Sequence, residues 1–571
     1  MSTNRPQPGG TKSAPEQPGK EKDQKPNKPL DIRSGFGILF GMVPKVRSFL
    51  LQGIDAQPVE IEVDLDDTQL QREVVVGLPD AAVKESLERV RSAMGNTGYP
   101  WFSGRALINL APAHQRKEGP LYDLPIAVGM LIAQGVIHPA LHRELQPAGG
   151  GGVDRSPGLR FEDESHGLDP RRALIAGELA LDGRIRPIRG VIAMVTLARD
   201  MGLDAVVVPA ANAAEASVVE GIRVFGVSSL AQVVGLFNGE LDLEPHPTTD
   251  VAAMLQQSSA EVDFAEVKGQ ESVKRALVVA AAGGHNIVML GPAGTGKTMM
   301  AKALPGIMPT MTPKQAIEVT RIYSSAGMLD SERGLITSRP VRTPHHTASS
   351  PAIVGGGVIP RAGEISLAHH GILFLDELPE FSRNVLETMR QPMEDHVVTI
   401  ARSHGTVQFP ASFMLVAAMN PTPKGDVAPG EVGQREMQRY LSRLSGPLLD
   451  RIDLHVEAPA VPWSELSQKA TGTDTATMRA QVIAARKRAM RRQGEPVNAR
   501  LKGKQLDEYM ALESAAKGLL EQAMTQLGLS ARAYDKIRRV ALTIADIAGS
   551  ETVRPEHVGE AVQYRLLDRK L

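Results

Sequence analysis

Two patterns of apolar positions divide the chain. Near the N-terminus, Val59, Ile61 and Val63 alternate with glutamates, which is the period of a strand with one buried face. Three unbroken apolar runs follow much later, at residues 287–290, 371–375 and 413–419. Runs of this kind are typical of strands that are buried on both faces of a parallel sheet. The pattern predicts an α+β domain followed by an α/β domain.

Breaks in the pattern mark domain boundaries. Residues 1–41 are rich in Pro, Lys, Gln and Gly with few large apolar side chains, so we expect a disordered, basic, solvated tail with at most weak DNA contact. A glycine-rich stretch at 146–170 interrupts the first domain as a flexible insert. The predicted order is tail 1–41, first domain 42–240, polar linker 241–261, second domain 262–465 and a basic, helical region 466–571.

The composition is that of a folded protein, since 42% of the 571 residues are hydrophobic and 23% are charged. A formal net charge of −1 gives no overall attraction to nucleic acid or membranes, so any such binding must depend on local patches. The absence of cysteine excludes disulfides, catalytic thiols and cysteine zinc sites. No apolar run approaches the roughly 18 residues of a membrane span, and no signal-peptide core is present. We therefore expect a soluble cytoplasmic protein without membrane contacts.

The strongest chemical signal is a glycine-rich octapeptide directly after the apolar run 287–290. It consists of Gly291, Pro292, Ala293, Gly294, Thr295, Gly296, Lys297 and Thr298. Glycines at this spacing let backbone N–H groups surround a phosphate, while the lysine and threonine reach the terminal phosphates and Mg²⁺. A chance glycine-rich turn is the alternative, but the flanking strand and helix patterns favour an ATP-binding loop.

Polar residues that end the other two apolar runs complete this signal. Asp376 can hold Mg²⁺ together with Thr298, and Glu377 can orient or deprotonate the attacking water. The amide of Asn420 can hydrogen-bond that water without adding negative charge near the γ-phosphate. Solvated acids at a strand end, and an Asn that closes a turn, are the alternatives. Behind a phosphate loop, the pattern predicts an Mg²⁺-dependent ATPase.

Cations cluster in residues 479–504, which contain Glu495 as their only acid. The cluster includes Arg486, Lys487, Arg488, Arg491 and Arg492. Such a cluster would bind nucleic acid phosphates without base specificity, although a solvated basic helix has the same composition. Residues 397–409 predict a β-hairpin, in which Arg402 and His404 are weaker candidates for DNA contact.

Two histidine pairs, at 345–346 and 369–370, raise the question of a metal site. Adjacent side chains on a strand point to opposite faces, so each pair would offer at most one ligand to a common metal. We therefore expect no tight zinc site and interpret these histidines as packing or hydrogen-bonding groups.

Four further motifs carry a resemblance to a known family. They are RTPHHT at 342–347, PRAGE at 360–364, LAHHG at 367–371 and LSGPLLDRID at 444–453. Together with the ATP motifs, and in this order, residues 42–571 closely resemble the YifB/ComM-type Mg-chelatase-like AAA+ ATPases. The resemblance implies an AAA+ P-loop NTPase core with a helical lid, in which the segment 342–364 and the hairpin face the pore of a ring.

The first domain resembles the non-proteolytic relatives of the Lon protease domain, which have a ribosomal S5 domain 2-like fold. The likeness rests on residues 76–80, 108–113, 123–127 and 177–183. A Lon-type protease needs a serine nucleophile beside a lysine base. The segments that match its serine and lysine motifs, 118–123 and 189–193, contain neither residue. We therefore expect no protease activity and assign this domain to assembly or DNA contact.

The resemblance also implies roles for two arginines. Arg451 matches the arginine finger that enters a neighbour's ATP site, with Arg443 as the second candidate, and Arg532 matches the lid arginine called sensor 2. The alternatives are a structural ion pair of Arg451 with Asp450 or Asp453, and a solvated arginine at the start of a helix.

A competence protein of this family is a hexameric helicase that drives branch migration when imported DNA is integrated by recombination. The resemblance thus implies a homo-oligomeric, hexameric ring with branched or single-stranded DNA and recombination proteins as partners. A chelatase-like or protein-remodelling ATPase that acts on a partner protein is the alternative. Relatives usually carry a four-cysteine zinc knuckle after the sensor Asn, but residues 422–431 contain no cysteine, so zinc cannot be held there in that way.

Overall fold

The computed structural model describes residues 43–67, 72–138, 168–256, 262–330, 333–357, 360–402, 405–422, 439–440, 442–462, 472–565 and 567. Several predictions fall outside these ranges: the tail 1–41, most of the insert 146–170, His404 and the segment 423–431.

A seven-stranded mixed sheet organises the N-terminal domain. The strands are β1 (Lys45–Gln52), β2 (Asp55–Asp66), β3 (Arg72–Val76), β4 (Arg105–Ala111), β5 (Ala173–Ile175), β6 (Glu178–Leu179), β7 (Ile185–Arg186), β8 (Ala205–Pro209) and β9 (Arg223–Val227). The sheet has the order β3-β4-β2-β1-β5-β8-β9, while β6 and β7 form a separate ribbon. As the alternation predicts, Val59, Ile61 and Val63 of β2 are buried.

A second sheet of five parallel strands forms the ATPase core. The strands introduced here are β10 (Ile287–Leu290), β11 (Val341–Arg342), β12 (Gly355–Gly356), β13 (Arg361–Ala362), β14 (Ile372–Leu375), β15 (Val397–Arg402), β16 (Gly405–Pro410), β17 (Met414–Met419) and β18 (Leu454–Glu457). The sheet has the order β11-β14-β17-β10-β18, and each pairing within it is parallel. The three predicted apolar runs are β10, β14 and β17, three adjacent strands. Because parallel strands end at the same edge, the residues after them are brought together.

Helices surround both sheets. In the N-terminal domain they are Ala81–Asn96, Asp123–Ala133, Val191–Asp200, Ala213–Ala216 and Leu230–Asn238. The ATPase core contributes Glu271–Gly283, Lys297–Ile307, Pro313–Ala326, Ser350–Val354, Glu364–Leu367, Arg383–Thr388, Arg390–Asp395 and Gly446–Leu449. The C-terminal helices are Thr475–Gln493, Gly503–Tyr509, Ser514–Leu527, Ala531–Ala548 and Pro555–Gln563.

The helix Pro313–Ala326 joins the two sheets. Its Val319 is fully buried in one apolar cluster with Val191 of the N-terminal domain. Near its C-terminal end, the Ser324 hydroxyl donates to the carboxylate of Glu215, whose pKa is raised by burial. The N-terminal domain therefore packs directly on an element of the ATPase core.

The predicted linker 241–261 contains a further helix, Val251–Gln256, before the described residues break off at 257. The carboxylate of Asp250 accepts from the N–H of Ala253 at 2.9 Å and begins this helix. Val251 and Leu255 are buried against the same apolar cluster as Val319. The polar composition of the linker did not predict this short helix, which has one apolar face.

The longest C-terminal helix, Thr475–Gln493, carries the predicted basic cluster. It begins behind Asp474, whose carboxylate accepts from Thr477 N–H at 2.7 Å, and it ends at Gly494 with φ of 71°. Met478, Val482, Ala485 and Ala489 are buried on one face. Their spacing of three and four residues is that of an amphipathic helix, so only the remaining faces are open to solvent.

Candidate nucleotide site

The glycine-rich loop links the end of β10 to the helix Lys297–Ile307. Gly294 and Gly296 have φ of 80° and 83°, a region that favours glycine, and a Cβ on either would meet no atom within 4 Å. At Gly291, a Cβ would lie 2.0 Å from the carbonyl oxygen of Ala458, so no larger residue fits. The loop thus needs glycine for its conformation at two positions and for close approach at a third.

Lys297 lies buried at the centre of this loop, with 7% of its surface exposed. Its Nζ donates to the carbonyl oxygens of Gly291 and Pro292, both at 2.7 Å, and to Asn420 Oδ1 at 3.3 Å. Burial lowers the pKa of Lys297, and the charge of Asp376 opposes that shift. The lysine is therefore held by weak neutral acceptors, which a phosphate can replace.

Thr298 and Asp376 form a matched pair of oxygen ligands. The Thr298 hydroxyl, on the helix that follows β10, donates at 3.0 Å to Oδ2 of Asp376, which directly follows β14. Hydroxyl and carboxylate oxygens are the donors that Mg²⁺ prefers in proteins. The two residues could hold an Mg²⁺ ion, which would neutralise the charge of a bound phosphate.

Glu377 follows with an unusual backbone. Its φ of 53° lies in the left-handed region, and its N–H donates to Asp376 Oδ1 at 3.0 Å. Its Oε2 lies 3.2 Å from Nδ1 of His346, a residue that follows β11. The sequence placed His346 in a family motif but gave no sign of this contact.

Asn420 directly follows β17 and reaches the loop from the adjacent strand. Its contact with Lys297 brings it into one site with Thr298 and Asp376, as the edge of a parallel sheet predicts. The order of the strands therefore assembles the phosphate loop, the two acids and the amide from segments separated by more than 120 residues.

Arg451 and Arg532 lie at the opposite edge of the sheet. The carbonyl oxygen of Arg451 accepts from the side chain of Asn286, the residue before β10, at 3.0 Å. Arg532, whose side chain is 72% exposed, donates to Asp450 at 3.1 Å. Both arginines therefore lie near the residues that precede β10 and β18, whereas Lys297 follows β10.

The ion-pair partners of these arginines differ from those considered in the sequence analysis. Arg451 contacts Glu394, rather than Asp450 or Asp453, and also donates to the Pro447 carbonyl at 2.6 Å. The second finger candidate, Arg443, donates to both oxygens of Glu380, at 2.9 and 3.0 Å.

The basic cluster on the helix Thr475–Gln493 divides into cations that bond neighbouring elements and cations that do not within the described residues. Arg486 donates to the Ala281 carbonyl at 2.6 and 3.0 Å, and Arg488 donates to the Asp546 carbonyl at 2.6 Å. Arg492 binds the Asp546 carboxylate at 2.6 and 3.0 Å. These three arginines fasten the helix to its neighbours. Lys487 and Arg491 are exposed, without a contact of this kind among the described residues.

The predicted hairpin is present as β15 and β16, which pair from Val397 with Pro410 to Arg402 with Gly405. The side chain of Arg402 lies outside the described residues, as does all of His404. The segment 342–364 contains the small ribbon β12–β13, and Arg342 forms a two-pronged ion pair with Glu364 at 2.6 and 2.8 Å.

The expectation that adjacent histidines diverge is wrong for His345 and His346, whose rings lie 4.1 Å apart. It is also wrong for His369 and His370. They lie in the turn before β14, where His370 has φ of 54°, so both rings face Glu318. His370 Nε2 is 2.8 Å and His369 Nε2 is 3.6 Å from Glu318 Oε2. Because His369 Nδ1 accepts from the N–H of Ser412 at 3.0 Å, its proton resides on Nε2. A metal on Nε2 would force this proton onto Nδ1, which could then no longer accept from Ser412. The cluster therefore suits hydrogen bonding and not metal binding.

Every helix in the described ranges is too short or too polar to cross a bilayer.

Family models match most of the described chain. "Magnesium chelatase, subunit ChlI" matches residues 263–466, its C-terminal model matches 472–565, and "Subunit ChlI of Mg-chelatase" matches 61–146 and 162–212.

Similar proteins cover nearly the whole chain. Competence protein ComM of Haemophilus influenzae is 40% identical over 526 residues, which are 91% of this chain and 96% of that protein. The uncharacterized protein YifB of Escherichia coli is 39% identical over 523 residues, again 91% and 96%. Magnesium-chelatase subunit ChlI of Chlorella vulgaris is 22% identical over 352 residues, 56% of this chain and 92% of that protein. The chain therefore belongs to the YifB/ComM-type family of Mg-chelatase-like AAA+ ATPases.

Proposed function

We propose that this protein is an ATP- and Mg²⁺-dependent DNA motor, a hexameric helicase that drives branch migration in homologous recombination or natural transformation. The observation that carries the ATPase part is the convergence of Lys297, Thr298, Asp376 and Asn420 at one edge of the parallel sheet, with Glu377 beside them. The DNA part is supported by the 40% identity to a competence protein.

Each residue of the site has a defined task in this proposal. Lys297 exchanges its carbonyl partners for the β- and γ-phosphates, while Thr298 and Asp376 hold the metal. Bound Mg²⁺ supplies charge neutralisation at the phosphates. Glu377 accepts a proton from the attacking water, and Asn420 orients that water. No zinc takes part.

The site needs a second copy of the chain. Arg451 and Arg532 lie at the edge of the sheet that is remote from Lys297, so neither reaches a phosphate bound in the same copy. In a closed ring, this edge faces the phosphate loop of the next copy. Arg451 then stabilises the transition state in trans, and Arg532 contributes from the same side.

DNA contact is assigned to exposed positive charge. Lys487 and Arg491 are the exposed cations of the basic helix that make no contact like that of Arg492 with the residues the structure describes. The hairpin β15–β16, with Arg402 and His404, would lie at the pore. Branched or single-stranded DNA is the substrate and recombination proteins are partners, in the cytoplasm.

The N-terminal domain serves assembly or DNA contact in this proposal and has no protease activity. Its buried Lys117 donates to the carbonyl oxygens of Pro112 and Gln115. A Ser–Lys catalytic pair would instead need a serine hydroxyl at that nitrogen.

A second candidate function is remodelling of a partner protein, as expected of a chelatase-like motor. It is favoured by the Mg-chelatase models, which match both the core and the C-terminal helices.

The test is steady-state ATP hydrolysis by the purified chain with no DNA, single strands, duplex or four-way junctions. Lys297→Ala and Glu377→Gln serve as controls for contaminating ATPases. Stimulation by DNA that both substitutions abolish is the expected result. Hydrolysis that both substitutions abolish but that no DNA alters would favour the protein-remodelling function instead.

A further inference from the structure

A cavity of about 680 Å³ opens at the edge of the ATPase sheet opposite the phosphate loop. Its lining includes Asn286 before β10, Gly371 before β14 and Asp453 before β18. The phosphate-loop residues, Asp376 and Glu377 are not among its lining residues. It is thus separate from the nucleotide site of the same copy, and its size is that of a small-molecule site.

Arginines on three elements line one wall of this cavity. Arg339 lies ahead of β11, Arg486 lies on the helix Thr475–Gln493, and Arg500 lies in the following loop. Over the whole lining, eight Lys and Arg side chains face five Asp and Glu side chains. The cavity therefore has an excess of positive charge.

Arg339 and Arg486 have no carboxylate partner within the described residues. Arg339 donates to the carbonyl oxygens of Pro309 and His370 at 2.9 and 2.6 Å, and Arg486 donates to that of Ala281. Arg500 donates to the Ser412 hydroxyl at 2.6 Å, with Glu495 3.8 Å away. Carbonyl and hydroxyl oxygens leave most of the positive charge uncompensated, whereas buried cations are usually paired.

The positive charges of these arginines also repel one another. Burial lowers the pKa of Arg339 to about 9, and the charges of Arg486 and Arg479 add to that shift. The pKa of Arg486 falls to about 10, first through burial and then through Arg500. An anion in the cavity would relieve this repulsion, and a planar guanidinium suits the oxygens of a phosphate.

We propose that this cavity binds a phosphate group, carried by a small anion such as pyrophosphate or by a nucleotide, on Arg339, Arg486 and Arg500. The site is additional to the phosphate loop and does not depend on ATP hydrolysis. Arg451 and Arg532 line the same cavity, so a bound phosphate also lies on the face that we assign to a neighbouring copy.

The test is calorimetric titration of pyrophosphate, without Mg²⁺, into the full-length Lys297→Ala protein, in which the phosphate loop is weakened. Arg500→Gln removes an exposed member of the wall, and Arg339→Gln removes an inner one. Arg333→Gln is the matched control, since it removes one arginine whose side chain is 83% exposed and which lies outside the cavity.

The proposal predicts saturable binding that Arg500→Gln and Arg339→Gln each weaken at least about fivefold and that Arg333→Gln leaves unchanged. Absence of saturable binding would overturn it, as would equal effects of Arg500→Gln and Arg333→Gln. Displacement of pyrophosphate by ADP assigns the phosphate to a nucleotide, and failure of ADP to displace it assigns the phosphate to the free anion.

Discussion

His346 Nδ1 lies 3.2 Å from Glu377 Oε2 and links the segment after β11 to the proposed catalytic base. The same imidazole stacks at 4.1 Å on His345 and meets the ring of Phe381 edge-on at 6.4 Å, so its position is fixed by packing. Since the segment 342–364 is proposed to face the pore, the contact would join a pore-facing segment to the proposed catalytic base.

Removal of this contact should release Glu377. We expect His346→Ala to raise ATP hydrolysis without DNA by about threefold, because a partly exposed polar contact of this kind holds on the order of 0.5–1 kcal/mol. The stimulation by DNA should shrink in proportion. Steady-state hydrolysis with and without DNA measures both effects.

His345→Ala is the matched control, because His345 stacks on the same ring but bonds Thr347 instead of Glu377. Equal hydrolysis rates for the two variants would show that the contact with Glu377 has no influence on the base.

Arg492 and Arg491 are neighbours with opposite expected roles. Arg492 neutralises Asp546, whose side chain is 3% exposed, so Arg492→Ala should lower the free energy of unfolding by about 3 kcal/mol. Arg491→Ala should change it by less than about 0.5 kcal/mol. Urea denaturation measures both values.

DNA affinity should show the reverse order. Arg491→Ala should weaken DNA binding and reduce its salt dependence, because one phosphate contact is lost. If Arg491→Ala destabilised the fold as much as Arg492→Ala, the division of the helix into structural and exposed cations would be wrong.

Acid should destabilise the protein through His369 and His370. Burial lowers the pKa of His370 to about 4 and that of His369 to about 3, while the charges of Arg339 and Arg500 oppose protonation and Glu318 favours it. Unfolded imidazoles gain a proton below about pH 6.5, whereas the folded ones stay neutral until about pH 4. The unfolded state thus binds more protons, and stability falls as the pH drops from 6.5 to 4.

We expect the two histidines together to lose on the order of 4 kcal/mol of stability between pH 7 and pH 5, of which His370→Gln should remove about half. An unchanged slope in His370→Gln would contradict this assignment.

Much of the ATPase core could be predicted from the chain, because its signals are local. The runs 287–290, 371–375 and 413–419 became adjacent parallel strands, and shared strand direction alone brings Asp376 and Asn420 to Lys297.

The features that could not be predicted from the sequence depend on backbone conformation or on tertiary contacts. The left-handed φ of His370 turns two adjacent rings to one side, which strand alternation cannot predict. Arg486 and Arg492 look like surface charge in the sequence, and only the packing of the helix against Ala281 and Asp546 gives them interior partners.

The division of the proposed active site between two copies is tested most directly by mixing inactive variants. Lys297→Ala lacks the phosphate-binding lysine but retains Arg451, whereas Arg451→Ala has the reverse defect. Each alone should hydrolyse ATP at least about a hundredfold more slowly than the unaltered chain. An equal mixture should regain roughly a quarter of full activity, because one random interface in four pairs an intact phosphate loop with an intact arginine. Activity no higher than the sum of the two variants, in mixed oligomers verified by light scattering, would contradict a shared site.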